Sequence, residues 1–111
     1  MSEDAQAVVE VTDDDFEAQT AVGWLLVDFY ATWCPHCKAF RPIYEKVAGD
    51  YDGDVKFLAA DVDRSSEAAD SLSVMSIPTV VLLKDGEKID ANSGVLPPDQ
   101  LVAWIDEHSG A

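Results

Sequence analysis

The chain has 111 residues, 22 of them acidic and 7 basic, so a formal net charge of −15 accompanies a hydrophobic share of 48%. That length suits one domain, and the apolar share excludes a disordered chain. The charge excludes nucleic acid and anionic membrane surfaces as partners, because both need clustered Lys and Arg.

The acids are spread along the chain, the longest run being Asp13-Asp14-Asp15, so the bias belongs to the whole surface. Such self-repulsion opposes the compact state, and high salt screens it. It points to a salt-adapted host, with an ordinary acidic cytosolic protein as the alternative. No apolar run approaches the roughly 18 residues of a membrane span. Met1-Ser2-Glu3-Asp4 opens acidic and leads into no long apolar stretch, which argues against a secretory signal and for a cytoplasmic protein.

Val8 to Val11 is a short β-branched run and reads as a strand. Thr12 reads as a helix N-cap, with Asp13, Asp14 and Asp15 in the first turn, where negative charge suits the helix dipole. Phe16 would anchor that helix and Gly23 end it. Trp24 to Tyr30 is apolar on both faces, as in a strand covered on both sides, and only Asp28 interrupts it. Phe40, Ile43, Tyr44 and Val47 then recur at helical spacing, with Pro42 inside the pattern.

Gly49 to Gly53 reads as a turn and Val55 to Val62 as a strand. Asp63 or Ser65 would cap a short helix through Ala68, Ala69 and Leu72. Thr79 to Leu83 is a strand, Lys84-Asp85-Gly86-Glu87 a hairpin signal, and Lys88 to Ser93 the last strand. Pro97 and Pro98 open a final helix in which Leu101, Trp104, Ile105 and His108 recur; Trp104 and His108 read as core residues of it. Strands alternating with helices, then a hairpin, give an α/β domain with helices on both faces of a mixed sheet.

There are two cysteines, Cys34 and Cys37. A bridge between them would constrain almost none of the chain, so stapling the fold is not its purpose. A zinc site normally takes four ligands, and no second Cys-x-x-Cys exists to complete one. A reactive dithiol is the leading reading. The segment Trp33-Cys34-Pro35-His36-Cys37 lies where a buried strand passes into a helix. Pro35 suits the first helical position, which makes Cys34 the N-cap. Its sulfur would then face the amides of His36 and Cys37, and these donors at a positive helix end favour a thiolate. Cys37 turns back toward Cys34 and lies deeper. Cys34 is therefore expected to attack a substrate disulfide and Cys37 to resolve the mixed disulfide.

Asp28 to Lys38, read as DFYATWCPHCK, resembles the active-site segment of the thioredoxin family. The resemblance extends from about Val8 to His108. Ser76-Ile77-Pro78-Thr79 resembles that family's cis-proline loop, and Pro42, Gly86 and Gly94 match its helix proline, hairpin glycine and last-strand glycine. It implies a thioredoxin fold, a five-stranded mixed sheet flanked by four helices, as one domain over residues 1–111 with 1–6 flexible. It also implies thiol–disulfide exchange with no cofactor beyond the redox-active Cys34–Cys37 pair. Protein disulfides would be the substrates and a thioredoxin reductase-like protein the electron donor, with the chain a monomer.

Two departures from the family pattern matter. Pro35-His36 replaces the usual Gly-Pro and is the dipeptide of disulfide-forming oxidases, so an intermediate reduction potential is expected, and an oxidant or isomerase is the alternative enzyme. Ala59 stands where many bacterial thioredoxins carry a Lys paired with the buried acid, so Asp28 is expected to lose its cation and its pKa to rise.

Each remaining site residue carries two readings. Asp28 is a proton acceptor for Cys37 or a structural acid. His36 tunes Cys34 or is a solvated loop residue. Trp33, Met75, Ser76, Ile77 and Pro78 form a substrate groove, with core packing the rival for Met75; a cis proline would expose a backbone edge that an extended substrate can pair with. A groove used for peptide binding without turnover is the reading outside enzymes.

Overall fold

The computed structural model describes residues 7–110, so the expectation of flexibility at residues 1–6 falls outside the described residues. Nine elements follow in order: β1 (Val8–Val11), α1 (Phe16–Gln19), β2 (Trp24–Tyr30), α2 (Pro35–Asp50), β3 (Val55–Asp61), α3 (Ser66–Ser71), β4 (Thr79–Lys84), β5 (Glu87–Ser93) and α4 (Pro98–Ser109). The strands form one five-stranded sheet in the order β1-β3-β2-β4-β5. The β1–β3 and β3–β2 pairs are parallel, while β2–β4 and β4–β5 are antiparallel. This is the mixed sheet with four helices that the sequence implies.

The centre of the sheet explains the composition of β2, which is covered on both faces. Leu25, Val27 and Phe29 face a core with Leu58, Val81 and the α3 residues Ala68 and Ala69, against which Phe16 of α1 packs. On the opposite face Leu26 meets Phe40, Tyr44 and Val47 of α2 and Leu101 and Ile105 of α4. Each large apolar side chain so buried stabilises by roughly 1.5–3 kcal/mol. Asp28 shares their burial without that gain. The Tyr44 hydroxyl lies 3.0 Å from the Leu26 carbonyl and 2.7 Å from the Leu58 carbonyl, which satisfies it inside this core.

Several local readings need correction. Thr12 and the three aspartates do not open a helix: they form a turn in which the Thr12 amide donates to Asp15 Oδ1 at 2.9 Å, and α1 begins only at Phe16. Asp13 serves another helix. Its carboxylate accepts the amides of Glu67 and Ala68 at 3.1 and 3.0 Å, so it caps α3 across the fold, whereas the neighbouring Ser65 gives no side-chain cap. The helix α2 continues through Gly49 to Asp50, beyond the expected turn. His108 is not a core residue; its ring meets Asp90 of β5 at 2.8 Å while Nδ1 lies 2.9 Å from the Trp104 carbonyl. The β4–β5 hairpin forms as expected, with positive φ at Asp85 (51°) and Gly86 (85°), the conformation that favours Asp and Gly there.

Candidate active site

After β2 the chain runs through Ala31-Thr32-Trp33 to Cys34, which has extended backbone and caps α2, with Pro35 in the first turn. Of the two amides expected to face its sulfur, the Cys37 N–H is the one that donates, at 3.2 Å. Both cysteines are free thiols and both are buried, Cys34 5% and Cys37 3% exposed, so Cys37 is deeper only by a small margin. The difference between them lies in position: Cys34 at the helix end receives an amide donor, and Cys37 lies one turn inside.

The loop before β4 closes over this pair. Ile77 packs against the cluster of Ala31, Cys34 and Cys37, and the Ile77–Pro78 peptide is cis. Pro78 is buried, whereas Ser76 and Met75 are exposed. At 93% exposure Met75 is a surface residue, so core packing is the wrong reading for it. Thr79 Oγ1 donates to the Ser76 carbonyl at 2.7 Å and fixes the loop to the start of β4. On the other side Trp33 is 64% exposed, and its indole N–H donates to Asp63 Oδ2 at 2.9 Å. A depression of about 270 Å³ runs from Met75, Ser76 and Ile77 to Ala69 of α3. The structure thus brings Cys34, Cys37 and Ile77 into one cluster, with buried Pro78 following Ile77 in the chain and with Trp33, Pro35 and His36, the neighbours of Cys34, exposed.

Asp28 lies beneath, on the sheet face covered by α2. It has no exposed surface, and neither carboxylate oxygen has a hydrogen-bond partner. Burial pushes its pKa up to about 7, the charge of Arg41 pulls it down, and that of Glu10 pushes it up again. The loss of a cation at Ala59 is therefore only part of the account: Ala59 does pair with Asp28 in the sheet, but α2 supplies Arg41. Cys37 is held well above the ordinary thiol range, first by burial, then by its hydrogen bond with Cys34 and by the charges of Cys34 and Asp28.

The residues the sequence reading missed are Arg41, Glu10 and Tyr30. Arg41 Nη2 is 3.8 Å from Glu10 Oε1, its guanidinium lies 4.6 Å from the centre of the Tyr30 ring, and the Tyr30 hydroxyl donates to Glu10. The available signal was Arg41 four residues after Cys37, one turn along the same helix face. Among the described residues no group of three or more His, Cys, Asp or Glu could hold a metal ion, and no helix is long and apolar enough to cross a membrane.

A free dithiol at the start of a helix, roofed by a cis-proline loop and flanked by an exposed tryptophan, belongs to proteins that exchange thiols for disulfides. Comparison with known proteins agrees. A thioredoxin family model matches residues 7–107. The thioredoxin of Staphylococcus epidermidis is 46% identical over 102 residues, which cover 92% of this chain and 98% of that one. That of Staphylococcus haemolyticus is 45% identical with the same coverage. The crystal structure of Malassezia sympodialis thioredoxin superposes with a TM-score of 0.78 at 39% identity, covering 91% of this chain and 90% of that one. The chain belongs to the thioredoxin family and is a thiol–disulfide oxidoreductase.

Proposed function

We propose that this protein reduces protein disulfides in the cytoplasm, with Cys34 as nucleophile, Cys37 as resolving thiol and Asp28 as proton acceptor. The observation that carries the assignment is the Cys37 amide directed at Cys34 Sγ, since a donor aimed at that sulfur stabilises negative charge on it. Cys34 attacks one sulfur of the substrate disulfide, and the other sulfur leaves as a thiolate. Cys37 then loses its proton to Asp28 and attacks Cys34. The Cys34–Cys37 bond forms, the bond to substrate breaks, and the second substrate sulfur leaves with the electron pair. Two electrons pass from the dithiol to the substrate, and no further cofactor is needed. A thioredoxin reductase-like donor restores the dithiol, and the chain works as a monomer. The acidic surface suits a salt-rich host interior.

Trp33, Met75, Ser76, Ile77 and Pro78 form the substrate surface. An extended peptide lying there would place its disulfide over Cys34. The decisive assay is insulin reduction: Cys34→Ser should fall to the uncatalysed rate while the fold persists. Retained turnover would remove Cys34 from the chemistry, and retained peptide binding with no turnover even in the unmodified protein would favour a binding module.

Pro35 and His36, exposed next to Cys34, are the tuning residues. Reverting them together, Pro35→Gly with His36→Pro, should make the protein more reducing by about 30 mV or more, where 30 mV corresponds to about 1.4 kcal/mol. Equilibration with glutathione buffers measures it. A variant as oxidising as the original would remove the dipeptide from the control of potential.

A further inference from the structure

Asp28 poses a problem that the dithiol alone does not solve. Its carboxylate is fully buried, lacks any hydrogen bond, and is to accept a proton from Cys37 near neutral pH. An acid in that position stays protonated, and useless as a base, unless a positive charge reaches it.

The register of the sheet shows where that charge enters. Glu10 of β1 pairs with Ala59 of β3, and Ala59 pairs with Asp28 of β2. The three form one row across parallel strands, with their side chains on the same face of the sheet. Ala59, in the middle of the row, is fully buried and brings no charge, and α2 packs over this face. Arg41 projects from α2, one turn beyond Cys37, and is held by Glu10 of β1 at 3.8 Å, by the Tyr30 ring and by Glu45, one turn further along α2, at 3.6 Å. Tyr30 in turn donates its hydroxyl to Glu10, which ties two partners of the arginine together. A depression of about 300 Å³ lined by Tyr30, Ala31, Thr32, Cys37, Lys38 and Arg41 joins the guanidinium to the resolving thiol.

We infer that Arg41 is a positioning residue for the resolving step: held by Glu10, Glu45 and Tyr30 at the edge of this row, it supplies the positive charge that allows Asp28 to ionise and take the proton of Cys37. The inference rests on the proposed role of Asp28. The other groups that act on this carboxyl work against ionisation. Glu10 is an anion at the edge of the row. Cys37 gains negative charge as it gives up its proton, and the Tyr30 and Tyr44 hydroxyls are neutral and donate to other oxygens. From β3 and β4 the residues paired with Asp28 are Ala59 and Val80, neither of them charged.

The test uses the full chain with its dithiol reduced. The Asp28 titration is followed by carboxyl carbon NMR in the unmodified protein, Arg41→Gln and Arg41→Lys, and the spectra also report whether each variant is folded. Arg41→Gln should raise the Asp28 midpoint by about one pH unit, a tenfold fall in its acid dissociation constant, and Arg41→Lys should bring most of it back. In single turnovers the release of reduced substrate should follow the same shift in its pH profile, while the first attack by Cys34 is unchanged. In an Asp28→Asn background, Arg41→Gln should have no further effect on release. An unmoved Asp28 titration would overturn the role of Arg41 and leave that of Asp28 standing. A shifted titration with an unmoved release profile would remove Asp28 from the resolving step, and Arg41 with it.

Discussion

Replacing Cys37 with Ser should leave the protein joined to its substrate. In the Cys37→Ser variant the first exchange proceeds, because Cys34 keeps its position at the helix end. The second does not, because a serine hydroxyl at position 37 is far too weak a nucleophile at neutral pH to displace a thiol. A single turnover with a disulfide-bonded protein should convert most of the variant to a mixed disulfide through Cys34, visible on a non-reducing gel and located by peptide mass. Cys34→Ser should give none, since Cys37 is buried within α2 and its thiol resists ionisation. Mixed disulfides through Cys37 in the Cys34→Ser variant, at comparable yield, would reverse the two roles. Limited alkylation of the reduced protein should agree by labelling Cys34 first.

The second large effect concerns stability. The Asp28 carboxyl titrates near 7 in the folded protein and near the ordinary 3.8 when the chain is unfolded. The folded state therefore holds this proton through a pH range in which the unfolded state has released it. By linkage, stability is highest below the unfolded value, falls as pH rises from 3.8 toward 7, and is flat above that. A gap of about three pH units at 1.36 kcal/mol each makes the full loss about 4 kcal/mol, a large share of the roughly 5–15 kcal/mol that holds a domain folded. Asp28→Asn cannot titrate, so this component should vanish. The buried amide lacks partners as the acid does, a penalty of about 1–3 kcal/mol at every pH. The sharp signature is therefore the difference between pH values. Relative to the unmodified protein, the variant should gain about 4 kcal/mol between pH 4 and pH 8 in urea unfolding of the reduced form. An unchanged difference would mean that Asp28 is a satisfied structural acid.

The parts of this molecule legible in its sequence are those that local chemistry determines. An apolar run such as Leu25 to Phe29 has few options besides a central strand, and a proline after Cys34 fixes the helix start and the site of the sulfur. Asp28 stands out because a carboxylate in such a run is costly. The rest depended on contacts between distant segments. Thr12 followed by three acids has the local form of a helix start, but the Asp13 carboxylate goes to α3, and a cap contributed from another element leaves no local pattern. Gly49 weakens a helix without ending it, since packing of Val47 and Tyr44 holds α2 in place past it. A single arginine on a helix reads as a solvated residue. Only the register of β1, β3 and β2 shows that Glu10, the partner of Arg41, shares a row with Ala59 and Asp28.

The connection between β1 and α3 has a further consequence, for the order in which the chain is assembled. The Asp13 amide donates to the Arg64 carbonyl, the Asp13 carboxylate accepts from Glu67 and Ala68, and the Ser65 hydroxyl reaches the Val11 carbonyl. All of these span more than fifty residues, so none can form while the chain between them is still being made. With six residues, α3 is too short to persist alone in water. Its cap comes from Asp13, two residues past β1, which pairs with β3 at the edge of the sheet. The depression that α3 lines beside the cis-proline loop is thus complete only when segments more than fifty residues apart have come together.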